Sequence, residues 1–172
     1  MSEVESNRHA WGMLAEDHYR HYRKRIEDGE NRLNAHIREE LGDLAGKRVA
    51  HLQCNAGFDT LALAERAAHV TGVDLAPENV RCARMLAEDF GFANVDFVEA
   101  EACNLPASLD GRYDVVFTSE GVLGWLPDLD SWARGVRRLL ADGGFLYVFD
   151  SHPFYLAFDE TKLGRGEYDL AY

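Results

Sequence analysis

Short apolar runs alternate with amphipathic segments along most of the chain after residue 47. Five of these runs predict strands, at residues 48–53, 69–74, 95–99, 113–119 and 145–151. The segments between them carry apolar positions at helical spacing. Strands that alternate with helices are typical of a parallel sheet with crossover helices. The pattern therefore predicts a doubly wound, mainly parallel α/β fold, whose ligand crevice lies at the carboxyl ends of the strands.

Residues that begin and end helices refine this prediction. Pro77 suits the first position of the helix after the second strand, and Gly91 suits its end. Asp130 is predicted to cap the helix before the fifth strand, and Gly143 with Gly144 to end it. These signals delimit two of the crossover helices.

The first 46 residues follow a helical pattern instead. One face carries apolar and aromatic side chains at helical spacing, namely Trp11, Leu14, Ala15, His18, Tyr19, Tyr22 and Ile26. A second helix is predicted over residues 33–44, with Gly46 as its end. We interpret residues 1–46 as a helical segment that packs on the core or covers the ligand crevice. Plain core packing is the alternative for the aromatic face.

The composition narrows the function classes. The chain has 172 residues, 47% of them hydrophobic and 28% charged, which suits one folded domain. Its formal net charge of -12 would repel a polyphosphate backbone, so nucleic acid is not expected as a partner. No leader-like segment and no stretch of about 18 apolar residues are present, and the 3 cysteines are too scattered for a disulfide framework or metal cluster. We therefore expect a cytoplasmic protein with no membrane contact and no metal.

The turn after the first predicted strand carries the first functional signal. Small residues join the strand to a helix there, and Gly57 lacks a Cβ that would block a ligand or a positive φ. The dinucleotide-binding glycine pattern is not matched, because Gln53 and Asn55 occupy two of its glycine positions. Asp74 ends the second strand, where a carboxylate can accept hydrogen bonds from both hydroxyls of a ribose. The plainer alternatives are that Gly57 only turns the chain and that Asp74 only caps the helix at Pro77.

Four segments, in a fixed order, carry a resemblance to a known family. They are HLQCNAGFDTLALA, VTGVDLAPENV, ANVDFVEAEACNLP and YDVVFTSEGVLGWLPDLDSWARGVRRLLADGGFLYVF. Together they resemble the class I (Rossmann-like) S-adenosylmethionine-dependent methyltransferases over residues 47–153. The resemblance implies methyl transfer from S-adenosylmethionine to a small-molecule acceptor, with S-adenosylhomocysteine as the product and no metal.

The same resemblance implies roles for individual residues. The cofactor-binding set is Gln53, Cys54, Asn55, Gly57, Asp74, Leu75, Glu101, Ala102 and Ser119. Within this set, Asp74 would bind the ribose, Glu101 would take the adenine amino group, and residues 53–57 would surround the methionine part. The chain departs from the family's commonest first motif, which has an acidic residue and two glycines where His51, Gln53 and Asn55 stand.

Methyl transfer from a sulfonium is an in-line displacement, which needs alignment and exclusion of water more than acid–base help. A hydroxyl or ammonium acceptor must nevertheless lose a proton, so a base near the crevice would assist. Glu120 and His152 follow the fourth and fifth strands and are the candidate catalytic residues, although either can be an ordinary surface residue. Trp125 and Tyr19 are candidates for substrate contact, with core packing as the alternative.

The resemblance further implies a helix and an antiparallel hairpin after the fifth strand, whereas only a short tail, residues 154–172, follows here. We therefore expect the fold to lack the usual C-terminal hairpin. The edge of the fifth strand would then be covered by a second copy of the chain, in a homodimer, or by the aromatic residues of the tail. These residues are Phe154, Tyr155, Phe158, Tyr168 and Tyr172.

Two other functions remain open. A non-catalytic domain that binds S-adenosylmethionine or S-adenosylhomocysteine, and acts as a regulator or interaction partner, would carry the same motifs. A nicotinamide-dependent oxidoreductase would use the same ribose carboxylate, but the incomplete glycine pattern argues against it. Transfer of a labelled methyl group, and a comparison of the binding of S-adenosylhomocysteine with that of NAD, would separate these functions.

Overall fold

The computed structural model describes residues 2–30, 33–152, 154 and 157–170. Two short 3-10 turns, Ala107–Leu109 and Leu123–Trp125, accompany the helices and strands of this part of the chain. In chain order the helices and strands are α1 (Glu3–Glu27), α2 (Ala35–Leu41), β1 (Arg48–Leu52), α3 (Phe58–Ala64), β2 (His69–Asp74), α4 (Pro77–Asp89), β3 (Val95–Glu99), β4 (Tyr113–Ser119), α5 (Leu129–Leu139), β5 (Leu140–Phe149) and α6 (Glu160–Leu163). None of the helices so described is long and apolar enough to cross a membrane.

The strands form one parallel sheet in the order β3-β2-β1-β4-β5. β1 lies at the centre, with Ala50 opposite Thr71 of β2 and Val116 of β4. The chain therefore winds outward from β1 through β2 to β3, and then crosses back to β4 on the other side of β1. The doubly wound parallel α/β fold is confirmed, and the switch between β1 and β4 opens a crevice at the strand ends.

Helices pack on both faces of the sheet, because neighbouring residues of a strand point to opposite faces. Val49 of β1 belongs to a buried cluster with Ile37 of α2 and Leu63 of α3. The next residue, Ala50, belongs to a different cluster with Val136 of α5. Burial of one such valine or leucine side chain contributes about 1.5–3 kcal/mol. The central strands are thus fixed from both sides, which holds their carboxyl ends in place.

α1 is capped by Ser2 and packs against α4. Ser2 Oγ accepts a hydrogen bond from Glu5 N at 3.2 Å, and Glu5 Oε2 accepts one from Ser2 N at 2.8 Å, which is a capping box. Further along the helix, Arg23 forms an ion pair with Asp89 of α4 at 2.9 Å. Tyr19 donates a hydrogen bond to the same carboxylate at 2.5 Å. The predicted N-terminal helix is confirmed, and its docked face lies beside α4.

α2 is shorter than predicted. It ends at Leu41, and Gly42 follows with a φ of 62°, so the prediction that Gly46 ends this helix is wrong. Leu44 lies beyond the helix but is as deeply buried as the apolar residues within it. Its burial extends the apolar pattern past the last helical turn, which is why the sequence suggested a longer helix.

The predicted end of α4 is confirmed, but the predicted cap of α5 is wrong. Pro77 is the first residue of α4, and Gly91 follows this helix with a φ of 72°. The cap of α5 is Asp128, whose Oδ1 accepts a hydrogen bond from Ser131 N at 2.9 Å. Asp130 lies inside the first turn of α5 instead, where its charge favours the helix dipole.

Gly143 and Gly144 do not end α5, because β5 begins directly after that helix and spans Leu140–Phe149. A Cβ on Gly144 would lie 3.0 Å from the backbone oxygens of Tyr113 and Asp114. Glycine is required there by the close approach of β5 to β4, at the point where their register shifts. The strand therefore starts earlier than predicted, with the glycines inside it.

β5 forms an edge of the sheet among the described strands, and its exposed apolar side chains are Phe145, Leu146 and Val148. In the tail, the ring of Phe158 lies 5.0 Å from Phe154 and 6.3 Å from Tyr168, between ring centroids. Tyr155, Tyr172 and Pro153, the predicted end of the core, fall outside the described residues. Coverage of the β5 edge by the tail or by a second copy stays a prediction.

Candidate functional site

A cavity of about 620 Å³ lies at the carboxyl ends of β1, β2 and β4, where the winding of the sheet reverses. Its size falls within the usual range of small-molecule sites. The strand ends and the loops after them contribute most of its floor, including Gln53, Cys54, Asn55, Asp74, Leu75, Glu101, Ala102 and Ser119. All the residues predicted to bind a cofactor therefore line this cavity, with the exception of Gly57.

The turn after β1 is held in an unusual backbone conformation. Gln53 and Asn55 have φ values of 55° and 51°, and Glu120, after β4, has a φ of 65°. These are the non-glycine residues with positive φ in the described part of the chain, and all three line the cavity. Such strain costs about 1–3 kcal/mol per residue and is concentrated at functional sites. The Gln53 side chain braces the two loops, because its Nε2 donates to Val122 O at 3.1 Å.

Asp74 joins the end of β2 to this turn. Its Oδ2 accepts a hydrogen bond from Asn55 N at 2.8 Å, and its Oδ1 accepts from Ala76 N at 3.0 Å and Asn79 Nδ2 at 3.1 Å. Burial raises the pKa of this carboxyl group, while these donors oppose the rise. A carboxylate has about four lone-pair positions, so about one remains for a ligand. That is fewer than the two ribose hydrogen bonds expected from the sequence.

Gly57 is buried and lies outside the cavity lining. Its φ is 87°, and a Cβ there would lie 3.0 Å from Ala83 Cβ and 3.3 Å from the Phe97 ring. The residue is glycine because α4 and β3 pack closely against the turn. Its contact with a ligand stays a prediction that no geometry here supports.

At the other end of the cavity, Ser119 of β4 donates a hydrogen bond from Oγ to Asp59 Oδ2 at 3.0 Å. Burial raises the pKa of Asp59 to about 6; the nearby charge of Glu120 adds to the rise, whereas Ser119 and Arg25 oppose it. Asp59 was not among the site residues predicted from the sequence. An acidic residue in the first turn of a helix is common, so only its burial in the folded chain distinguishes it.

His51 stands where the commonest family motif has an acid, and it is buried. Its Nδ1 is hydrogen-bonded to Thr60 Oγ1 at 2.8 Å, and its ring lies edge-on to Phe117 at 4.9 Å. Burial lowers the pKa of His51 to about 3, so the imidazole is neutral at physiological pH. β1 therefore brings no charge to the cavity.

Of the four weaker candidate residues, two line the cavity and two do not. Glu120 and Trp125 line the cavity. His152 is exposed and lies outside the lining, with its Nδ1 accepting a hydrogen bond from Phe154 N at 3.2 Å. Tyr19 also lies outside the lining and is bound to α4, as described above. Of these four candidates, Glu120 and Trp125 therefore line the cavity, whereas His152 and Tyr19 do not.

α1 contributes one side of the cavity. Its residues in the lining are Val4, Asn7, Trp11, His18, Tyr22 and Arg25. The rings of Trp11 and Trp125 meet edge to face with centroids 5.3 Å apart, and Asn7 Nδ2 donates to Trp125 O at 3.1 Å. His18 Nδ1 is buried and has no hydrogen-bond partner within the described residues. The aromatic face of α1 was predicted from the sequence. Asn7 and Arg25 were not, because their polar ends become relevant only once the helix is docked.

Comparison with known proteins explains this arrangement. A family model described as a methyltransferase domain matches residues 49–144, more than half of the chain. The chain belongs to the class I S-adenosylmethionine-dependent methyltransferases. The match runs from β1 into β5 and so includes every strand end that lines the cavity.

Relatives of this methyltransferase domain are longer than the chain. The ubiquinone biosynthesis O-methyltransferase of Bordetella pertussis is 35% identical over 111 residues, which cover 64% of this chain and 45% of the relative. The chain spans about half the length of the curated relatives it matches, 45% and 53% in two of them. The comparison therefore concerns about half of each of those proteins.

Solved structures agree with this assignment. An S-adenosylmethionine-dependent methyltransferase from Mesorhizobium loti is 26% identical, with a TM-score of 0.60, and the alignment covers 72% of this chain and 55% of that one. A second such enzyme, from Aquifex aeolicus, has a TM-score of 0.63 at 20% identity, covering 76% and 74%, and supports the fold alone. The described residues contain no group of three or more His, Cys, Asp or Glu side chains that could hold a metal ion.

Proposed function

We propose that this methyltransferase domain binds S-adenosylmethionine in the cavity and transfers its methyl group to a small-molecule hydroxyl group. One observation carries the proposal: the buried carboxylate of Asp74 is hydrogen-bonded to the strained turn at Asn55, inside a cavity at the topological switch point. Family membership supplies the reaction class, and the O-methyltransferase names of the curated relatives suggest the hydroxyl acceptor.

The residues present fit this cofactor. Asp74 would accept one ribose hydroxyl hydrogen bond through its remaining lone pair, and Leu75, Glu101 and Ala102 would surround the adenine beside it. Gln53, Cys54, Asn55 and Ser119 would border the methionine part. Gly57 would act indirectly, by setting the turn that presents Asn55. The three cavity-lining residues with positive φ support the assignment, because strain at that cost is retained where it serves a ligand.

When bound, the cofactor supplies an activated methyl group on sulfur. The protein would hold donor and acceptor in line and keep water out, effects that can together lower the barrier by about 7–11 kcal/mol. The roof formed by Trp11 and Trp125 would exclude water. Glu120, which lines the cavity, would be the better placed of the two predicted bases to receive the proton of a hydroxyl acceptor.

The net charge of -12 favours a small molecule over nucleic acid as the acceptor. The identity of that molecule would depend on the roof and on whatever covers the cavity mouth, because these regions differ from the strand ends that hold the cofactor. A cytoplasmic location and a homodimer stay predictions alongside this proposal.

Calorimetry with S-adenosylhomocysteine and with NAD tests the proposal. We expect S-adenosylhomocysteine to bind in the micromolar range and NAD not to bind. Methyl transfer from labelled cofactor to a panel of phenols, alcohols and amines then tests catalysis. Binding without transfer to any acceptor would favour the non-catalytic alternative, and binding of NAD alone would refute the methyltransferase assignment.

A further inference from the structure

The two ends of the cavity lie at different strands of the sheet. Asp74 marks the end at β2, and Ser119 marks the end at β4, with β1 between them. Two strand spacings separate these ends, about 10 Å. If the ribose lies at Asp74, as proposed above, the amino-acid part of the cofactor extends toward β4. We propose that Asp59 binds the ammonium group of this amino-acid moiety, an inference that rests on the proposed function.

The position of Asp59 supports this role. It lies in the first turn of α3, lines the cavity, and is partly buried. Among the residues that the structure describes, only its Oδ2 has a hydrogen-bond partner, since it accepts from Ser119 Oγ. Within the described ranges it forms no ion pair. A partly buried carboxylate with one hydrogen bond is incompletely satisfied, and a cationic ligand would complete it.

The surrounding charges leave the need for a cation unmet. Glu120 adds negative charge from the end of β4, and Tyr22 faces Asp59 from α1. Arg25 is the nearby cation, but its Nε donates to Glu30 at 2.5 Å and its guanidinium lies 4.2 Å above the Phe58 ring. Its charge is therefore shared with another carboxylate. His51, on the adjacent strand, is neutral and supplies no countercharge.

A pH dependence follows from this geometry. Since the pKa of Asp59 in the free protein is raised to about 6, a cation beside it must favour the ionised form. Binding of a ligand that carries an ammonium group therefore weakens as the pH falls from 7 to 5. A ligand without this group, such as 5′-methylthioadenosine, keeps the adenosine and the thioether but lacks the countercharge.

The two ligands define the experiment. Wild-type protein and Asp59→Asn are titrated with S-adenosylhomocysteine and with 5′-methylthioadenosine by calorimetry at pH 5, 6 and 7. At pH 7 the substitution should weaken S-adenosylhomocysteine binding roughly 10-fold to 100-fold, the range for a hydrogen bond to a charged group. Binding of 5′-methylthioadenosine should change by less than about twofold. In the variant, the ratio of the two affinities should no longer depend on pH.

A matched variant controls for net charge. Asp142→Asn removes the same charge from an exposed position in β5, outside the cavity, and should leave both affinities unchanged. Equal weakening of both ligands by Asp59→Asn would indicate a structural role and overturn the inference, as would unchanged binding of S-adenosylhomocysteine. Failure of the folded wild-type protein to bind either ligand would instead refute the proposed function, so the two failures are distinguishable.

Discussion

Two aspartates line the same cavity but differ in how many hydrogen bonds the protein donates to them. Asp74 accepts three hydrogen bonds, two from backbone amides and one from Asn79. Asp59 accepts one, from Ser119. Burial raises the pKa of both carboxyl groups, but at Asp74 the protein itself supplies most of the compensating donors. Residues of the same type thus contribute in different ways within one site.

The difference teaches how this site separates structure from binding. The carboxylate of Asp74 ties β2 to the turn after β1, so removing it damages the fold and the site together. The carboxylate of Asp59 accepts one hydrogen bond, from Ser119, and so contributes little to holding the fold together. Its removal from water costs folding free energy that a bound ligand would offset. A single substitution, aspartate to asparagine, should therefore have opposite effects on stability at the two positions.

Asp74→Asn should have the largest effect. The new amide group would point a donor at one of the backbone amides that Asp74 now accepts from, which leaves buried donors unpaired. We expect a loss of about 3 kcal/mol in the free energy of unfolding and at least a tenfold weaker affinity for S-adenosylhomocysteine. Urea denaturation and calorimetry measure the two quantities. Full stability together with near-normal affinity would remove Asp74 from both roles.

Gly57→Ala tests the turn that precedes Asp59 and is hydrogen-bonded to Asp74. A Cβ at this position meets Ala83 and Phe97, and the φ of 87° is unfavourable for alanine. Both effects predict destabilisation by about 2 kcal/mol. Because Gly57 lies outside the cavity lining, the affinity of the folded fraction for S-adenosylhomocysteine should fall only a few-fold, about threefold. A large loss of affinity at unchanged stability would instead indicate direct contact between Gly57 and the ligand.

Asp59→Asn should stabilise the free protein. The pKa of Asp59 in the folded state, about 6, lies above its ordinary value of 3.8, so the folded state holds the proton more tightly. Wild-type protein therefore loses stability from this group as the pH rises from about 4 to about 6, and the variant does not. At pH 7.5 the variant should be more stable by about 1–2 kcal/mol. At pH 4 the difference should be close to zero.

Urea denaturation at both pH values provides the measurement, with Asp142→Asn as the control for surface charge. That control should show no difference from wild-type protein at either pH, because Asp142 is exposed. Destabilisation by Asp59→Asn at pH 7.5 would mean that the Ser119 hydrogen bond outweighs the burial of charge. The contrast between the two aspartates would then be lost.

The sequence predicted the fold and one of these aspartates, for related reasons. Buried parallel strands are continuous apolar runs, so the bounds of β2, β3 and β4 agree with the predicted residues 69–74, 95–99 and 113–119. A carboxylate at the end of such a strand, as at Asp74, is recognisable by position alone. α5 and β5 were less predictable, because no loop separates them and Gly144 serves the packing of β5 against β4.

Asp59 was not predictable from local pattern. Its surroundings include Tyr22 and Arg25 of α1, which is distant in sequence. The separation of Tyr19 from the cavity also depends on how α1 docks, since Tyr19 and Tyr22 both lie on the aromatic face but only Tyr22 lines the cavity. Such features follow from tertiary packing, which the periodicity of the sequence does not reveal.

Trp125→Ala should have the smallest effect and act on both ends of the cavity alike. The side chain is 50% exposed and contacts Trp11 edge to face, a contact that contributes about 0.5–1.5 kcal/mol. We expect a stability change below about 1 kcal/mol, and affinities for S-adenosylhomocysteine and 5′-methylthioadenosine that fall together by about twofold to fivefold. Leu129, 53% exposed and outside the lining, offers Leu129→Ala as the matched control, which should alter neither affinity. If Trp125→Ala weakened only S-adenosylhomocysteine, the roof would contact the amino-acid moiety, and the recognition assigned to Asp59 would be shared with it.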